Sequence, residues 1–459
     1  MQSDTICAIS SAHGKGAIAV IRISGHNSID VLNKIYSPYG KKETSKKLRR
    51  CVSVGQIIDG TKFIDEVVVN EFYEPHSYTG ENLVEISCHG STYIQNYLIE
   101  LLIKNECRIA NKGEFTYRAF MNKKLDLSQA EAVSELISSK TSKSHELALK
   151  QMRGGISSEI KTLRDKLIKF ASLIELELDF SQEDVEFADR KELMTLLDSI
   201  KFKILAIIKS FKYGNAIKNG VPISIVGQPN SGKSTLLNMI LNEERSIVSD
   251  IEGTTRDTIE EMINYNGIEM RFIDTAGIRN TDDKIEKIGI SRTYEKISSS
   301  LFILYLIDRS NYNSSLTKKE IQSIKSKISD EVKIIVLLNK FDLNKSDFKD
   351  NFLEKFDCFD ISAKKNIGVE KILKNIEQNV INWNDINSDI VITNQRHYSS
   401  LTKTISTINE IEKGLESKVS GEFLSIDIKK SLEYLGEISG EISNEDLLDS
   451  IFRDFCIGK

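Results

Sequence analysis

The segment "GQPNSGKS", from Gly227 to Ser234, constrains the fold of this chain more than any other stretch. It has the spacing GxxxxGK[ST], follows the apolar run "VPISIV" and precedes the helical pattern "TLLNMILN". In this strand–loop–helix context, backbone N–H groups and the helix N-terminus hold phosphate. The segment therefore predicts an α/β phosphate-binding domain, with Lys233 at the β- and γ-phosphates and Ser234 on Mg²⁺.

Three later signatures, each after a short apolar run, predict which nucleotide binds. In "DTAG", Asp274 belongs near Mg²⁺ and the Gly277 N–H near the γ-phosphate. In "NKFD", Asp342 can accept hydrogen bonds from guanine N1–H and the 2-amino group, a donor pair that adenine lacks. "SAK", residues 362–364, supplies a backbone contact to the guanine oxygen. Together the signatures predict a GTPase.

The segment "GTTRD", residues 253–257, lies where a first switch loop belongs, and its Thr255 hydroxyl is a candidate Mg²⁺ ligand. In Ras-like enzymes a glutamine after "DTAG" orients the attacking water, but here that position is Ile278. Another group must therefore place the water. Spacing alone leaves three acidic candidates open, Asp282, Asp283 and Glu286.

Positive charge between the phosphates has two candidate sources. Arg256 is one, although it neighbours Thr255 and has room to point outward. A monovalent cation is the other, because the Asn230 carbonyl in the phosphate loop is a hard oxygen ligand.

Hydrophobic periodicity predicts a multidomain α/β chain. Residues 1–120 alternate strand and helix patterns and predict an α+β domain, whereas 121–219 are helical. Residues 220–383 alternate buried strands with helices and predict a doubly wound α/β domain. Residues 384–459 are helical again, so we expect one discontinuous helical domain with the α/β domain inserted into it.

Helical spacing predicts one apolar face in the first helical segment, with a break at Gly154-Gly155. The predicted face comprises Leu136, Ile137, Met152, Ile156, Ile160, Leu163 and Leu167.

Composition restricts the class of protein. The 459 residues carry a net charge of −5, which disfavours a bulk nucleic-acid binder while leaving room for a basic patch such as "KKLRR", residues 46–50. Six scattered cysteines without a CxxC pair predict reduced thiols, and hence a cytoplasmic protein without a zinc site. No apolar run is long enough to span a bilayer, so no membrane partner is expected.

The stretch "IFRDFCIGK" ends the sequence, and Cys456 is the fourth residue from its end. Ile457-Gly458-Lys459 does not fit a prenylation box, which requires aliphatic middle residues and a different last residue. An apolar helical face predicts that this tail is docked on the protein; it comprises Leu447, Leu448, Ile451, Phe452 and Phe455.

Nearly the whole chain resembles one family, the tRNA-modification GTPase MnmE, also called TrmE. The resemblance rests on "GKGAIAVIRISG", "YTGENLVEISCHG", "GEFTYRAFMNKKLDLSQAEAV", "DIEGTTRD", "DTAGIR", "TNQRHY" and the terminal "CIGK". It implies a folate-binding and dimerisation domain at the N-terminus, a discontinuous all-helical domain and an inserted Ras-like P-loop GTPase domain.

The same resemblance implies a function. With a flavoprotein partner, MnmG (GidA), in a heterotetramer, a homodimer of such a chain modifies tRNA at carbon 5 of the wobble uridine, position 34. The group added is aminomethyl or carboxymethylaminomethyl. The one-carbon unit comes from a tetrahydrofolate derivative, 5-formyl- or 5,10-methylene-tetrahydrofolate. GTP hydrolysis stimulated by potassium would close two G domains on each other.

The resemblance also assigns residues. The implied folate contacts are Arg22, Glu85, Lys124 and Lys459. Mg²⁺ would be held by Ser234 and Thr255, and potassium by Asn230, Ser249, Ile251 and Thr254. Glu286 becomes the catalytic acid, and Cys456 acts in the modification chemistry or only in positioning. The expected GTP contacts are Asn230, Ser231, Gly232, Lys233, Ser234, Thr235, Ser249, Asp250, Ile251, Glu252, Gly253, Thr254, Thr255, Asp274, Thr275, Ala276, Gly277, Asn339, Lys340, Asp342, Ser362, Ala363 and Lys364.

Other interpretations stay open at this point. A GTPase of ribosome or RNA assembly shares the four nucleotide signatures but has no folate-like N-terminal domain. Without the resemblance, Arg22 is an alternating strand residue and a surface charge, and Glu85 and Lys124 are solvated charges. His89 beside Cys88 hints at a metal or acid–base pair, but two residues do not make a site.

Overall fold

A computed structural model describes residues 4–40, 50–179, 190–244, 261–273, 300–329, 331–343, 350–383, 390–417, 419–442, 445–453 and 455–459. The chain divides into two compact units. One contains Met1–Ile137, Gln151–Ala171 and Ile428–Lys459, and the other contains Ser138–Lys150 and Ser172–Asp427. The domain boundaries at residues 120, 219 and 383 stay a prediction.

The first unit is built on a seven-stranded sheet with strand order β3-β4-β5-β6-β2-β1-β7. Its strands are β1 (Thr5–Ile9), β2 (Ile18–Ser24), β3 (Tyr36–Pro38), β4 (Arg50–Asp59), β5 (Lys62–Phe72), β6 (Leu83–His89) and β7 (Cys107–Ile109). All neighbours are antiparallel except β1 and β7, which run parallel. Residues two apart, such as Ile21 and Ile23, therefore share one buried face of the sheet.

Helices cover that face. The first unit contains α1 (Ser28–Ile35), α2 (Thr92–Lys104), α3 (Glu114–Met121) and α4 (Leu127–Ser138). Leu32 of α1 and Leu98 of α2 are fully buried in the same core as Ile21 and Ile86 of the sheet. Arg22 and Glu85 lie on the opposite face beside a smaller core that contains Phe115 of α3, and this face positions the N-terminal candidate site.

Long helices connect the two units along the chain, namely α5 (Ser142–Met152), α6 (Gly155–Asp179) and α7 (Arg190–Asn219). The predicted break is confirmed: Gly154 lies between α5 and α6 with a φ of +87°. The predicted apolar face is confirmed at Ile156, Ile160, Leu163 and Leu167, which are buried. It is wrong at Ile137, which is 48% exposed. Ile137 lies in the last turn of α4, which ends at Ser138, so it does not share a helix with the buried residues of α6.

The second unit contains a six-stranded sheet of order β13-β12-β11-β8-β10-β9. Its strands are β8 (Val221–Gly227), β9 (Glu261–Tyr265), β10 (Ile268–Ile273), β11 (Phe302–Asp308), β12 (Lys333–Asn339) and β13 (Asp357–Asp360). All neighbours run parallel except β9 and β10. The carboxyl ends of five strands therefore meet at one edge of the sheet.

The predicted doubly wound fold is confirmed by two cores on opposite faces of this sheet. The helices beside it are α8 (Lys233–Glu244), α9 (Ser314–Lys325) and α10 (Val369–Asn382). Alternate residues of β11 divide between the faces: Leu304 packs in the core that contains Leu236 of α8 and Ile372 of α10, whereas Tyr305 packs in the core that contains Ile321 of α9.

The remaining described helices are α11 (Gln395–Glu416), α12 (Gly421–Ser439) and α13 (Glu445–Phe452). The predicted helical structure after residue 384 is thus confirmed for the described residues. No helix in the described ranges combines the length and apolar character needed to cross a membrane.

Trp383, the only tryptophan of the chain, lies at the end of α10. Its ring stacks on Phe302, with 5.4 Å between the ring centroids. The Lys212 ammonium of α7 lies 4.7 Å from the centroid of the same ring. The indole is therefore held between α7 and the start of β11.

Candidate functional site

Three of the four predicted nucleotide signatures meet at the carboxyl edge of the parallel sheet. "GQPNSGKS" joins β8 to α8, "NKFD" begins at the end of β12, and "SAK" follows β13. Ligands of open α/β sheets bind at this edge, where the loops of neighbouring strands converge. The fold therefore brings together residues that are more than 100 positions apart in sequence.

Asn339 joins the phosphate loop to the guanine loops. Its side-chain amide donates to the Ser231 carbonyl oxygen at 2.7 Å, and its Oδ1 accepts from the Ala363 N–H at 3.0 Å. Gly232 makes the first contact possible: with φ at +101°, a Cβ added there would lie 2.3 Å from Asn339 Nδ2. Asn339 is thus a buried brace: both polar groups of its side chain make hydrogen bonds within the protein, and these bonds connect the two loops.

Two neighbouring side chains orient the carboxylate of Asp342, the residue predicted to contact guanine. The Ser362 hydroxyl donates to its Oδ1 at 2.7 Å, and the Lys365 ammonium lies 3.8 Å from its Oδ2. The hydrogen bond from Ser362 lowers the pKa of the Asp342 carboxyl, and the nearby lysines act in the same direction. The carboxylate is therefore ionised at neutral pH and fixed in orientation.

Lys233 bends back over the phosphate loop. Its ammonium donates to the carbonyl oxygens of Gly227 at 2.8 Å and Gln228 at 2.9 Å. Burial lowers the pKa of Lys233, and the negative charge of Glu320 opposes this shift. Main-chain oxygens therefore hold the ammonium inside the loop, at the position predicted for contact with phosphate.

Asp308 is a residue of this edge that the sequence analysis missed. It ends β11, and its Oδ2 accepts a charge-assisted hydrogen bond from Lys340 Nζ at 2.5 Å. Burial would raise the pKa of Asp308, but hydrogen bonds from Lys340 and Ser310 outweigh it and lower the pKa. A signal existed, because Asp308 directly follows the apolar run "LFILYLI" and so falls at a strand's carboxyl end.

Other predicted nucleotide contacts have less defined surroundings. Asn230 is exposed, with a left-handed φ of 59°. Ser234 and Thr235 lie in the first turn of α8, and Lys364 is exposed. Several predicted residues lie outside the described ranges: Ser249, Asp250, Ile251, Glu252, Gly253, Thr254, Thr255, Asp274, Thr275, Ala276, Gly277 and Glu286.

Arg22 and Glu85 form a second candidate site on the N-terminal sheet. They are direct cross-strand neighbours on β2 and β6. Arg22 Nη2 and Nε donate to the same carboxylate oxygen, Glu85 Oε1, at 2.7 and 3.0 Å. The side chains are only 15% and 23% exposed. The interpretation of Arg22 as a surface charge is therefore wrong, since burial and pairing restrain it.

Two aromatic rings flank this ion pair. The Arg22 guanidinium lies 5.3 Å from the ring centroid of Tyr78 and 5.6 Å from that of Phe115. Burial raises the pKa of Tyr78, although its hydroxyl shares a 2.8 Å hydrogen bond with Thr116. These rings were not predicted, because their sequence positions follow no strand or helix period shared with Arg22.

The tail also reaches the ion pair, as the sequence predicted a docked tail. The Gly458 carbonyl oxygen accepts from Ser10 Oγ at 3.0 Å and from Arg22 Nη1 at 3.5 Å. Gly458 has a φ of +95°, and an added Cβ would lie 2.2 Å from the Ile9 carbonyl oxygen. Phe452 and Phe455 are buried in one cluster with Leu127, which anchors the tail.

The remaining predicted residues of this region have separate surroundings. Lys124 is exposed, and its ammonium donates to the Pro75 carbonyl oxygen at 2.9 Å, on the loop that also carries Tyr78. Lys459 is half-buried beside Gly458. Cys456 is exposed and free, and its carbonyl oxygen accepts from the Gly113 N–H at 3.2 Å.

A network of ion pairs joins α3 to residues beside the N-terminal sheet. Arg118 donates to Asp4, Glu81 and Glu114, and Arg108 donates to Asp4 and Glu114. Burial would raise the pKa of Glu114, but hydrogen bonds from Arg108, the Asn111 N–H and Arg118 lower it overall. The Glu114 carboxylate is therefore ionised at neutral pH in the folded protein.

The pair His89 and Cys88 does not form a metal site. Cys88 is buried and its thiol faces the Ala19 carbonyl oxygen, whereas the His89 ring meets Asp65 Oδ1 at 2.7 Å. Among the described residues, no group of three or more histidine, cysteine or acidic side chains is arranged to hold a metal ion.

The carboxyl-edge site defines a class of protein: a phosphate loop, a braced asparagine and an oriented aspartate characterise a guanine-nucleotide-binding α/β protein. Comparison with known families identifies two matches. Residues 5–124 match the family described as "GTP-binding protein TrmE N-terminus", and residues 127–456 match "MnmE helical domain".

Curated relatives are similar over the full length. A tRNA modification GTPase MnmE of Flavobacterium johnsoniae is 49% identical, covering 100% of both chains. Those of Christiangramia forsetii and Bacteroides thetaiotaomicron are each 47% identical, covering 100% of this chain and 99% and 100% of theirs. The chain therefore belongs to the MnmE family of tRNA modification GTPases.

Proposed function

We propose that this chain hydrolyses GTP to drive modification of carbon 5 of the wobble uridine, position 34, of certain tRNAs. A flavoprotein of the MnmG (GidA) type is the partner, and the added group is aminomethyl or carboxymethylaminomethyl. The observation that carries the proposal is the full-length similarity to tRNA modification GTPases, 49% over the whole chain. The oriented Asp342 carboxylate supports guanine as the base that is read.

The Arg22–Glu85 pair supports a folate ligand. The two hydrogen bonds from Arg22 to Glu85 both end on Oε1, so Oε2 has no partner among the described residues and can accept from an N–H group. Tyr78 and Phe115 beside the guanidinium fit a flat ring with polar edges. We propose a tetrahydrofolate derivative here, 5-formyl or 5,10-methylene, with Lys124 and Lys459 at its periphery.

Two cations belong to the proposed GTP reaction. Ser234, at the start of α8, would ligate Mg²⁺ together with Thr255, and Mg²⁺ would neutralise phosphate charge. Potassium would be held by Asn230, Ser249, Ile251 and Thr254. The exposed, left-handed Asn230 in the phosphate loop is compatible with a carbonyl oxygen turned toward such an ion.

The proposed catalytic roles fall on two residues. Glu286 would orient and polarise the attacking water, the role that Ile278 cannot fill. Cys456, exposed at the docked tail near Arg22, would take part in the modification chemistry or only position the tail. We further propose a cytoplasmic homodimer joined through the N-terminal domain, whose G domains close on each other when GTP binds.

The experiment measures GTP hydrolysis by the full chain in potassium and sodium buffers, with and without the flavoprotein. We expect faster turnover in potassium and further stimulation by the partner. In parallel, nucleosides of tRNA from cells that lack this gene are analysed by mass spectrometry. The modified wobble uridine should be absent, and Glu286→Gln should fail to restore it.

Each arm has an outcome that contradicts part of the proposal. Equal turnover in sodium and potassium would remove potassium from the mechanism. Normal wobble uridine in the deleted cells would favour the alternative of an RNA-assembly GTPase. Cys456→Ser with full modification and unchanged GTP hydrolysis would exclude thiol chemistry and leave Cys456 a positional role.

A further inference from the structure

Glu320 is an acidic residue beside the phosphate loop, and its charge opposes the pKa shift of Lys233. Glu320 is half-buried on α9, and its Oε1 accepts from the Gln228 side-chain amide at 3.4 Å. The Tyr305 hydroxyl of β11 donates to its other oxygen, Oε2. Tyr305 is 2% exposed, so the carboxylate is attached to the core of the sheet.

Gln228 is the residue through which this carboxylate reaches the phosphate site. It follows the last residue of β8, and its carbonyl oxygen is one of the two that hold the Lys233 ammonium. The chain of contacts thus runs from Tyr305 to Glu320, from Glu320 to Gln228, and from Gln228 to Lys233. Each link is a hydrogen bond between described residues.

The negative charge of Glu320 favours the charged form of Lys233, but its sign is unfavourable toward the ligand. A carboxylate near a phosphate site repels an anionic ligand, whether that ligand is GDP or GTP. Direct attraction of the ligand is thus excluded, and the hydrogen-bond path through Gln228 gives Glu320 a geometric contribution. It fixes Gln228, and with it the carbonyl oxygen that places Lys233.

We propose that Glu320 is a positioning residue of the phosphate loop, fixed by Tyr305 and acting through Gln228. It does not touch the nucleotide. The guanine end depends on a separate contact, that of Asp342 with Ser362. Loss of Glu320 should therefore weaken binding of phosphates while leaving recognition of the base intact.

The test compares the affinities of the full chain for GDP, GTP and guanosine, measured by competition with a fluorescent guanine nucleotide. Glu320→Ala should bind GDP and GTP about five- to tenfold more weakly, because a hydrogen bond to a charged group is lost from the loop's support. Its affinity for guanosine should be unchanged. Tyr305→Phe should weaken GDP binding in the same direction but by a smaller factor.

Glu320→Gln separates position from charge. Its side-chain oxygen can still accept from Gln228 and its amide can donate to the Tyr305 oxygen, so the geometry is kept while the repulsion is removed. We expect it to bind GDP at least as tightly as the unaltered chain. In the double variant Gln228→Ala/Glu320→Ala, the loss should equal that of Gln228→Ala alone, because both changes break one path.

The chain offers a matched control in its other unit. Tyr73 donates to Glu71 Oε2 at 2.8 Å, a tyrosine–glutamate pair of the same chemistry on the N-terminal sheet. Tyr73→Phe should leave all three affinities unchanged. Equal losses for guanosine and GDP in Glu320→Ala, or a Glu320→Gln variant as weak as Glu320→Ala, would overturn the proposal. Failure of the unaltered chain to bind GDP would instead overturn the proposed function.

Discussion

The two candidate sites are built in opposite ways. At the nucleotide site, the contributing residues lie at the carboxyl ends of parallel strands or just after them, as Asp342 follows β12. At the N-terminal site, Arg22 and Glu85 come from the middle of antiparallel strands, and the third contributor, Gly458, is 436 positions away from Arg22. One site uses loop ends that share an edge, whereas the other uses a sheet face and a returning tail.

This difference determines what holds each site in place. The nucleotide site relies on main-chain oxygens and N–H groups, such as the Ser231 and Ala363 contacts of Asn339. The N-terminal site relies on side-chain charges, including Arg22 with Glu85 and the network around Arg118. Side-chain substitutions should therefore damage the two sites in different ways.

The largest expected effect is on base recognition. In Asp342→Asn one of the two carboxylate acceptors becomes an amide donor that faces another donor of guanine, so GTP affinity should fall at least about 100-fold. Affinity for xanthosine triphosphate should rise, because the asparagine amide can donate to its 2-oxo group. Competition binding measures both nucleotides, and amide exchange of β2 and β6 is the control that should not change. An equal loss of both nucleotides would mean that Asp342 supports the loop and does not read the base.

The next effect is on the N-terminal sheet. Arg22→Met leaves the partly buried Glu85 carboxylate without its partner and should destabilise this sheet by about 2 kcal/mol, less than a fully buried pair. Hydrogen exchange of β2 and β6 in urea measures this loss, and Glu85→Gln in the same chain should recover part of it. GTP hydrolysis should be unchanged. A changed hydrolysis rate would show that the two sites are coupled, and it would contradict their independent construction.

A third effect depends on pH. The folded pKa of Glu114 lies below its unfolded value, so its stabilisation is present above the unfolded pKa and is lost as pH falls through the folded pKa. Between about pH 5 and pH 3, the N-terminal sheet of the unaltered chain should lose on the order of 1 kcal/mol more stability than that of Glu114→Gln. Urea unfolding followed by amide exchange at both pH values measures the difference. Parallel losses in both chains would show that the network is not stabilised by this carboxylate.

The smallest expected effect is on stability at the nucleotide site, where main-chain groups make the main contacts. Ser231 Oγ is buried and has no hydrogen-bond partner among the described residues. Ser231→Ala removes this unsatisfied hydroxyl and should stabilise the G domain by up to about 1 kcal/mol. GTP affinity should be unchanged, because Ser231 acts through its carbonyl oxygen. Thermal unfolding measures the stability. Weaker GTP binding in this variant would show that the hydroxyl itself is used.

The nucleotide site was predictable from sequence because its geometry is local. Parallel strands place their carboxyl ends at one edge, so finding "GQPNSGKS", "NKFD" and "SAK" after apolar runs is enough to predict that Lys233, Asp342 and Ser362 converge. Even the missed Asp308 follows this rule. The detail that only the structure gives is the brace of Asn339 across Gly232.

The N-terminal site was less predictable, because its contacts depend on register and on distant packing. Alternation in "AVIRIS" gives the face of Arg22 but not its partner, which requires the pairing of β2 with β6. Tyr78 and Phe115 lie on a loop and on α3, so no period joins them to Arg22. The docked tail was predicted from its apolar spacing, yet its contact with Ser10 was not.

The stacking of Trp383 on Phe302 provides a built-in optical reporter. Because the chain has a single tryptophan, all of its indole emission comes from this one position between Lys212 and β11. A nearby ammonium shifts indole emission through its field, so a movement of α7 relative to Trp383 would change the spectrum without any attached dye. Stopped-flow mixing of the unaltered chain with GTP can therefore time such a movement. In Lys212→Met the ammonium is absent, so this change in emission should be lost.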